Sequence, residues 1–161
     1  MRKGIFSSGL VWLWLVVLLV AVDRYSKFWV THHLSFFEPF KILPIFNLTL
    51  AYNTGAAFSF LHSASGWQNW VLSSLAVIIS GGVLVWLSRL RAYEAWMSIA
   101  LCLILTGALG NAWDRLYYGY VVDFLDFHWG DWHFAIFNIA DTAICIGAFM
   151  LFWEWVTHKQ T

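Results

Sequence analysis

The sequence predicts an all-α integral membrane protein: a four-transmembrane-helix bundle with a small antiparallel β-sheet on its outer face. Three observations predict it. The chain is 61% hydrophobic and only 11% charged, against roughly 25% charged residues in an average soluble domain. Four apolar stretches each approach the ~20 residues that a helix needs to cross a ~30 Å hydrocarbon core. The connection between the first two has the two-residue period of a strand. With 161 residues, the chain is too apolar for a soluble globule and too short for a large transporter, so it reads as one membrane domain, 1–161.

The first stretch, about 5–22, follows Met1-Arg2-Lys3 and runs into Asp23-Arg24-Tyr25-Ser26-Lys27. It has no small-x-small cleavage pattern, so it reads as an uncleaved helix reaching about residue 30. Asp23 and Lys27 are spaced for an i,i+4 ion pair. A β-rich connection occupies about 36–62. There Phe46, Leu48, Leu50 and Tyr52 alternate with Asn47, Thr49, Ala51 and Asn53. Asn53-Thr54-Gly55 is a turn signal, and Phe58 and Phe60 alternate with Ala57 and Ser59 after it, which predicts a hairpin. Helices at about 67–88 and 95–116 are joined by the Arg89-Leu90-Arg91 turn. An outer loop is expected at about 117–137 and a fourth helix at about 134–156. Trp67, Trp70, Trp129 and Trp132 fall where an interfacial aromatic belt belongs. Cys102 and Cys145 lie inside apolar runs with no disulfide or metal spacing, and read as small core residues.

The formal net charge is zero, which excludes a nucleic-acid role resting on a basic field. Threading the chain through four spans reveals an asymmetry. One side receives Arg2, Lys3, Arg89, Arg91 and Lys159 with only Glu94 and Glu154. The other receives Arg24, Lys27, Lys41 and Arg115 against Asp23, Glu38, Asp114, Asp123, Asp126, Asp131 and Asp141. The positive-inside rule therefore puts both termini in the cytoplasm and the acidic connections outside.

Asp141 lies in an apolar stretch where an ionised group is costly and is a functional candidate by default. If the helix starts near residue 134, Asp141 sits roughly 10 Å inside its end at ~1.5 Å per residue. Asn138, three residues earlier, shares its face. The plainer reading is a helix cap or a buried hydrogen-bonding carboxylate. Asp123, in Val121-Val122-Asp123-Phe124, is the partner, unless it is simply solvated at the interface. Two carboxylates held together in low dielectric cannot both ionise easily, so they can act as acid and base. Gly107, Asn111 and Arg115 recur every four residues on the third helix. Close packing explains the glycine, and the polar pair suggests a ligand or substrate contact. Asp123, Asp126, His128, Asp131 and His133 crowd one loop, but their spacing matches no zinc signature. No metal and no cofactor are expected. A proton-coupled carrier using the Asp pair as a relay is the alternative from another class. The internal pseudo-symmetry of such carriers is not visible. A non-enzymatic scaffold or lipid-binding subunit is a third possibility.

These segments together resemble the bacterial lipoprotein signal peptidases, or signal peptidase II. The likeness spans Asp23 to Lys27, Asn53-Thr54-Gly55-Ala56-Ala57-Phe58, Gly107 to Arg115, Val121 to Phe124, and Phe137 to Asp141. The resemblance implies an aspartic endopeptidase in the bacterial inner membrane, its active site near the periplasmic face. Asp123 and Asp141 would be the catalytic dyad. Asn53, Gly107, Asn111, Arg115 and Asn138 would shape the substrate site, supported by Asp23 and Lys27. The implied substrate is a diacylglyceryl-modified prolipoprotein, cut just before its lipidated cysteine. Membrane lipids would be the other partners, and a monomer is expected. Arg24 stands where the family commonly has Gln, and Thr106 where a second Gly often precedes Gly107.

Overall fold

The computed structural model describes residues 5–55 and 67–158. Two 3-10 turns, Ile5–Ser7 and Gly9–Trp12, lead into helix α1 (Leu13–His33). Strands β1 (Phe40–Leu43) and β2 (Phe46–Asn53) follow, then helices α2 (Trp67–Arg89) and α3 (Ala95–Tyr118). Strands β3 (Val121–Trp129) and β4 (Trp132–His133) precede helix α4 (Ile139–His158). Among the described residues, four helices are long and apolar enough to cross a membrane.

Helix α3 is the axis of the bundle and packs against α1, α2 and α4. Its buried positions are rich in small residues, among them Ala100, Gly107, Ala108, Gly110 and Ala112. Such residues let helix backbones approach in lipid, where van der Waals packing replaces the hydrophobic drive. Gly107 shows the requirement directly: a Cβ there would collide with the Ala140 carbonyl and the Ile144 side chain. Gly147 does the same from α4, since its Cβ would lie 2.6 Å from the Ala100 carbonyl oxygen. The bundle core is Val16, Val83, Leu87, Leu101, Cys102 and Leu105. Large apolar side chains such as Val17, Ile78 and Phe149 point outward, as a lipid-facing surface requires.

All four strands form one sheet in the order β1-β2-β3-β4, every pair antiparallel. It sits at the end of the bundle where α1 and α3 finish and α4 begins. Val30 of α1 packs with Leu50, Val122 and Phe124 of the sheet. Gly119, at φ +80°, closes α3 with its N–H on the Arg115 carbonyl. This left-handed cap turns the chain sharply into β3. At the opposite end Ser8 pairs with Arg91, and the Ala92 N–H reaches the Ser7 carbonyl.

The structure departs from sequence expectation in several places. The stretch 117–137 is largely strand rather than loop. The expected hairpin partner of β2 at 57–60 lies outside the described residues, as do Arg2, Lys3 and Lys159. Strand β2 pairs instead with β1 and, across a long sequence separation, with β3. The fourth helix begins at Ile139, not near residue 134. The reason is hydrogen bonding: the Phe137 N–H and carbonyl are engaged with Leu125 and Phe124 of β3, so residue 137 belongs to the sheet. Cys145 is exposed, unlike Cys102. Cys145 lies on the exposed side of α4, whereas its neighbours Ala143 and Gly147 face the bundle.

Candidate active site

The starts of β3 and of α4 bring Asp123 and Asp141 to the same cavity, about 500 Å³, walled also by Asn53, Arg115, Phe134 and Phe137. Asp123 comes from a strand position opposite Ala51, beside a register shift in β2 between Leu48 and Ala51. Such an irregularity re-aims side chains next to a site. Asn53 faces Val121 across the same ladder and is thus the diagonal neighbour of Asp123, within reach of a long side chain. Its Nδ2 donates to Asp123 Oδ2 at 3.1 Å, while its Oδ1 accepts the Gly55 N–H at 3.0 Å. Asn53 is therefore held by the turn that it starts.

Asp141 sits in the first turn of α4, so the expected depth of roughly 10 Å within the helix is not found. Asn138 caps that helix. The Asp141 N–H donates to Asn138 Oδ1 at 2.9 Å, and the Asn138 N–H returns to Asp141 Oδ2 at 3.3 Å. This is the reciprocal geometry of a capping box, with Asn and Asp in the two places. Asp141 is thus both a cap and a cavity-facing carboxylate. Asn111 of α3 donates from Nδ2 to Asp141 Oδ1 at 2.7 Å.

One residue joins the two carboxylates, its side chain reaching Asp123 and its backbone N–H reaching Asp141. Asn138, fully buried, donates from Nδ2 to Asp123 Oδ1 at 2.7 Å and to Asn111 Oδ1 at 3.2 Å. Asp123 is itself 2% exposed. Burial first, and the neighbouring charge of Asp141 second, push its carboxyl up to about 7 against the pull of Asn53 and Asn138. A carboxyl so placed keeps its proton near neutral pH. Arg115 lines the cavity and donates from Nη1 to the Asn111 carbonyl at 3.4 Å. Gly107 is not a cavity residue; it sets the α3–α4 distance that lets Asn111 reach Asp141.

Asp23 and Lys27 lie behind the cavity wall, in a buried four-residue ion cluster. Lys27 Nζ is 3.1 Å from Asp23 Oδ2 and 2.8 Å from Asp114 Oδ2. Arg24 joins both acids, through Nη2 to Asp23 at 2.6 Å and through Nη1 to Asp114. Each acid then holds one backbone N–H. Asp23 Oδ1 accepts from Ala140 at 3.1 Å, and Asp114 Oδ2 from Val122 at 3.4 Å. Ala140 and Val122 immediately precede Asp141 and Asp123. The cations therefore tie together the two anchors from which the cavity carboxylates project.

Asp114 is the site residue that sequence reasoning left unassigned. It stands beside Arg115, which invites the wrong partner. The signal was the spacing of Gly107, Gly110 and Asp114, one helical face on which a Cβ at Gly110 would lie 2.9 Å from Asp23 Oδ2. Phe134 to Phe137, read as helix, are a cavity wall. The crowded loop residues divide between roles: His133 Nδ1 is 2.8 Å from Asp126 Oδ1, and Thr49 donates to Asp126 Oδ2 at 2.7 Å. Burial raises the Asp126 carboxyl, but these bonds outweigh it and hold the group below its ordinary value. Thr106 is buried and donates to the Cys102 carbonyl at 2.9 Å.

Residues 15–157 match the family described as signal peptidase (SPase) II. A lipoprotein signal peptidase of Yersinia enterocolitica is 51% identical over 154 residues, covering 96% of this chain and 91% of that protein. One from Coxiella burnetii is 53% identical over 140 residues, with 87% and 86% covered. A solved bacterial membrane enzyme structure superposes with a TM-score of 0.84 at 28% identity, covering 99% of this chain and 94% of that one.

Proposed function

This chain belongs to the signal peptidase II family, and from that premise we propose that Asp123 and Asp141 are the catalytic dyad of a membrane-embedded aspartic endopeptidase. It removes the signal peptide from diacylglyceryl-modified prolipoproteins by cleaving before the lipidated cysteine. The observation that carries this reading is Asn138, which touches both carboxylates at the wall of one cavity. The pair shares one proton, and burial and the neighbouring anion favour the neutral form of Asp123. Asp141, with two N–H donors on its oxygens, takes a proton from a water held between the pair. Asp123 meanwhile polarises the scissile carbonyl and stabilises the developing oxyanion. The roles exchange as the amine leaves, and the pair titrates as a unit.

Arg115 and Asn53 contact the substrate backbone at the cavity wall, and Asn111 and Asn138 orient the dyad. Gly107, Asp23 and Lys27 hold the helices that carry it. By the charge asymmetry of the sequence, the sheet end faces the periplasm of a bacterial inner membrane and both termini face the cytoplasm. A signal peptide presents its scissile bond at that depth. The enzyme acts as a monomer in contact with membrane lipids, one chain carrying both carboxylates.

The test is cleavage of a synthetic lipidated peptide by the detergent-purified chain, with a strong chelator present. Wild type cleaves it. Asp123→Asn and Asp141→Asn each lose at least ~10²- to 10⁴-fold in rate, the range for a positioned acid or base. Undiminished turnover by either folded variant refutes the dyad.

A further inference from the structure

A second cavity, about 330 Å³, lies between the ends of α1 and α3 and the sheet, lined by Arg24, Lys27, His32, Tyr52, Trp113 and Tyr120 among others. Tyr52 lines both this cavity and the first. The chemistry of this second space is not that of the dyad. Among the described residues its wall carries Arg24, Lys27 and His32 and no acidic residue. Asp23 and Asp114, which balance the two cations, are fully buried behind them. An incoming group therefore meets the positive side of an overall neutral cluster. Arg24 is the accessible member, its side chain 25% exposed against 4% for Lys27. Its Nε is buried without an acceptor among the described residues, and its Nη2 donates to the Gly110 carbonyl at 3.1 Å as well as to Asp23.

The rim decides what kind of anion fits. Phe28, Trp113 and Tyr118 are each about half exposed or more and ring the cavity, so its mouth is aromatic. Aromatic side chains of this kind mark the headgroup level of a bilayer. The two helices that form the mouth are themselves membrane-spanning. We propose that this cavity is a binding site for the phosphodiester of an anionic phospholipid, held by Arg24 and seated among Phe28, Trp113 and Tyr118. With Nη2 engaged by Asp23 and Gly110 and Nη1 bonded once to Asp114, the guanidinium has one N–H left for a phosphate oxygen, and a charge-assisted contact gains strength at a partly desolvated site. Free phosphate would have to leave water for an aromatic rim that gives it nothing, whereas a lipid brings its own glycerol and chains. The site stands apart from the peptidase reading and would exist in a chain without the dyad.

Native mass spectrometry of the full detergent-purified chain tests it, with phosphatidylglycerol, a diacylglycerol of the same chains, and inorganic phosphate as probes. The expected result is one retained phosphatidylglycerol per chain, not displaced by either other probe. Arg24→Gln weakens retention roughly tenfold or more, the scale of one lost hydrogen bond to a charged group. Arg24 also serves the ion cluster, so His32→Glu is the second variant. It sets a carboxylate at the exposed cavity wall and should reduce retention without touching the cluster. Asp123→Asn retains the lipid as wild type does, which separates this site from the substrate cavity. Equal retention of diacylglycerol, displacement by inorganic phosphate, or unchanged retention in both variants would overturn the proposal.

Discussion

Asn138 performs two separable tasks, and one substitution series divides them. Its Oδ1 caps α4 through the Asp141 N–H, and its Nδ2 donates to Asp123. Asn138→Ala removes both. Loss of the cap costs roughly 1 kcal/mol of stability. Loss of a hydrogen bond to a charged acceptor is worth roughly 1.5–3 kcal/mol, and about 1.4 kcal/mol corresponds to one pKa unit. Asn138 is one of the groups that hold the Asp123 carboxyl down. Without it the carboxyl rises further above about 7, by roughly one unit or more on that scale. If catalysis needs one proton on the pair, wild-type activity falls as the pH climbs through about 7. That descending limb then moves to higher pH in Asn138→Ala. Asn138→Ser keeps a good cap but supplies no amide donor, so it should shift the limb like Ala while retaining most of the thermal stability. The assay is kcat/KM for the lipidated peptide between pH 5 and 9 (about that span brackets the limb), with thermal unfolding in parallel. An unmoved limb in both variants would refute the assignment of Nδ2. Equal destabilisation by Ala and Ser would refute the cap.

Three further outcomes follow from the same geometry. Because the Asp123 carboxyl is raised in the fold by burial and by Asp141, ionising it opposes folding; its contribution to stability is intact below the ordinary carboxylate range and is lost as pH rises through about 7. Asp123→Asn should therefore unfold at a higher temperature than wild type at pH 8 (about one unit above that titration), and the advantage should vanish near pH 4 (about the unfolded value). Gly107→Ala places a methyl against the Ala140 carbonyl and Ile144, which should cost about 1–3 kcal/mol as overpacking and depress kcat by moving Asn111 away from Asp141. Lys27→Met leaves Asp23 and Asp114 buried with only Arg24 between them, and chemical unfolding should show a loss of roughly 3–5 kcal/mol.

Much of this protein is legible in its sequence, and the illegible parts share a cause. Span positions follow from hydropathy because lipid demands continuous apolar helices. Asp123, Asp141 and Asn138 stand out because polar groups in such surroundings require partners. The start of α4 is misread because Phe134 to Phe137 are apolar whether they enter a helix or lean on a sheet. Only the distant ladder with Phe124 and Leu125 decides. The pairing of β2 with β3 is hidden for the same reason: some 70 residues part Asn53 from Asp123, and strand period says nothing about which strand is next. Asp114 is concealed by a sequence neighbour of opposite charge, although its partners are Arg24 and Lys27 on another helix.

The ion cluster at Asp23, Arg24, Lys27 and Asp114 fastens the peptide units just upstream of both cavity carboxylates. Their separation is consequently governed by three helices and a strand acting as one rigid gauge, rather than by the flanking backbone of either. A bilayer that squeezes or thins around the bundle would carry both groups along together and leave the gap between them unaltered.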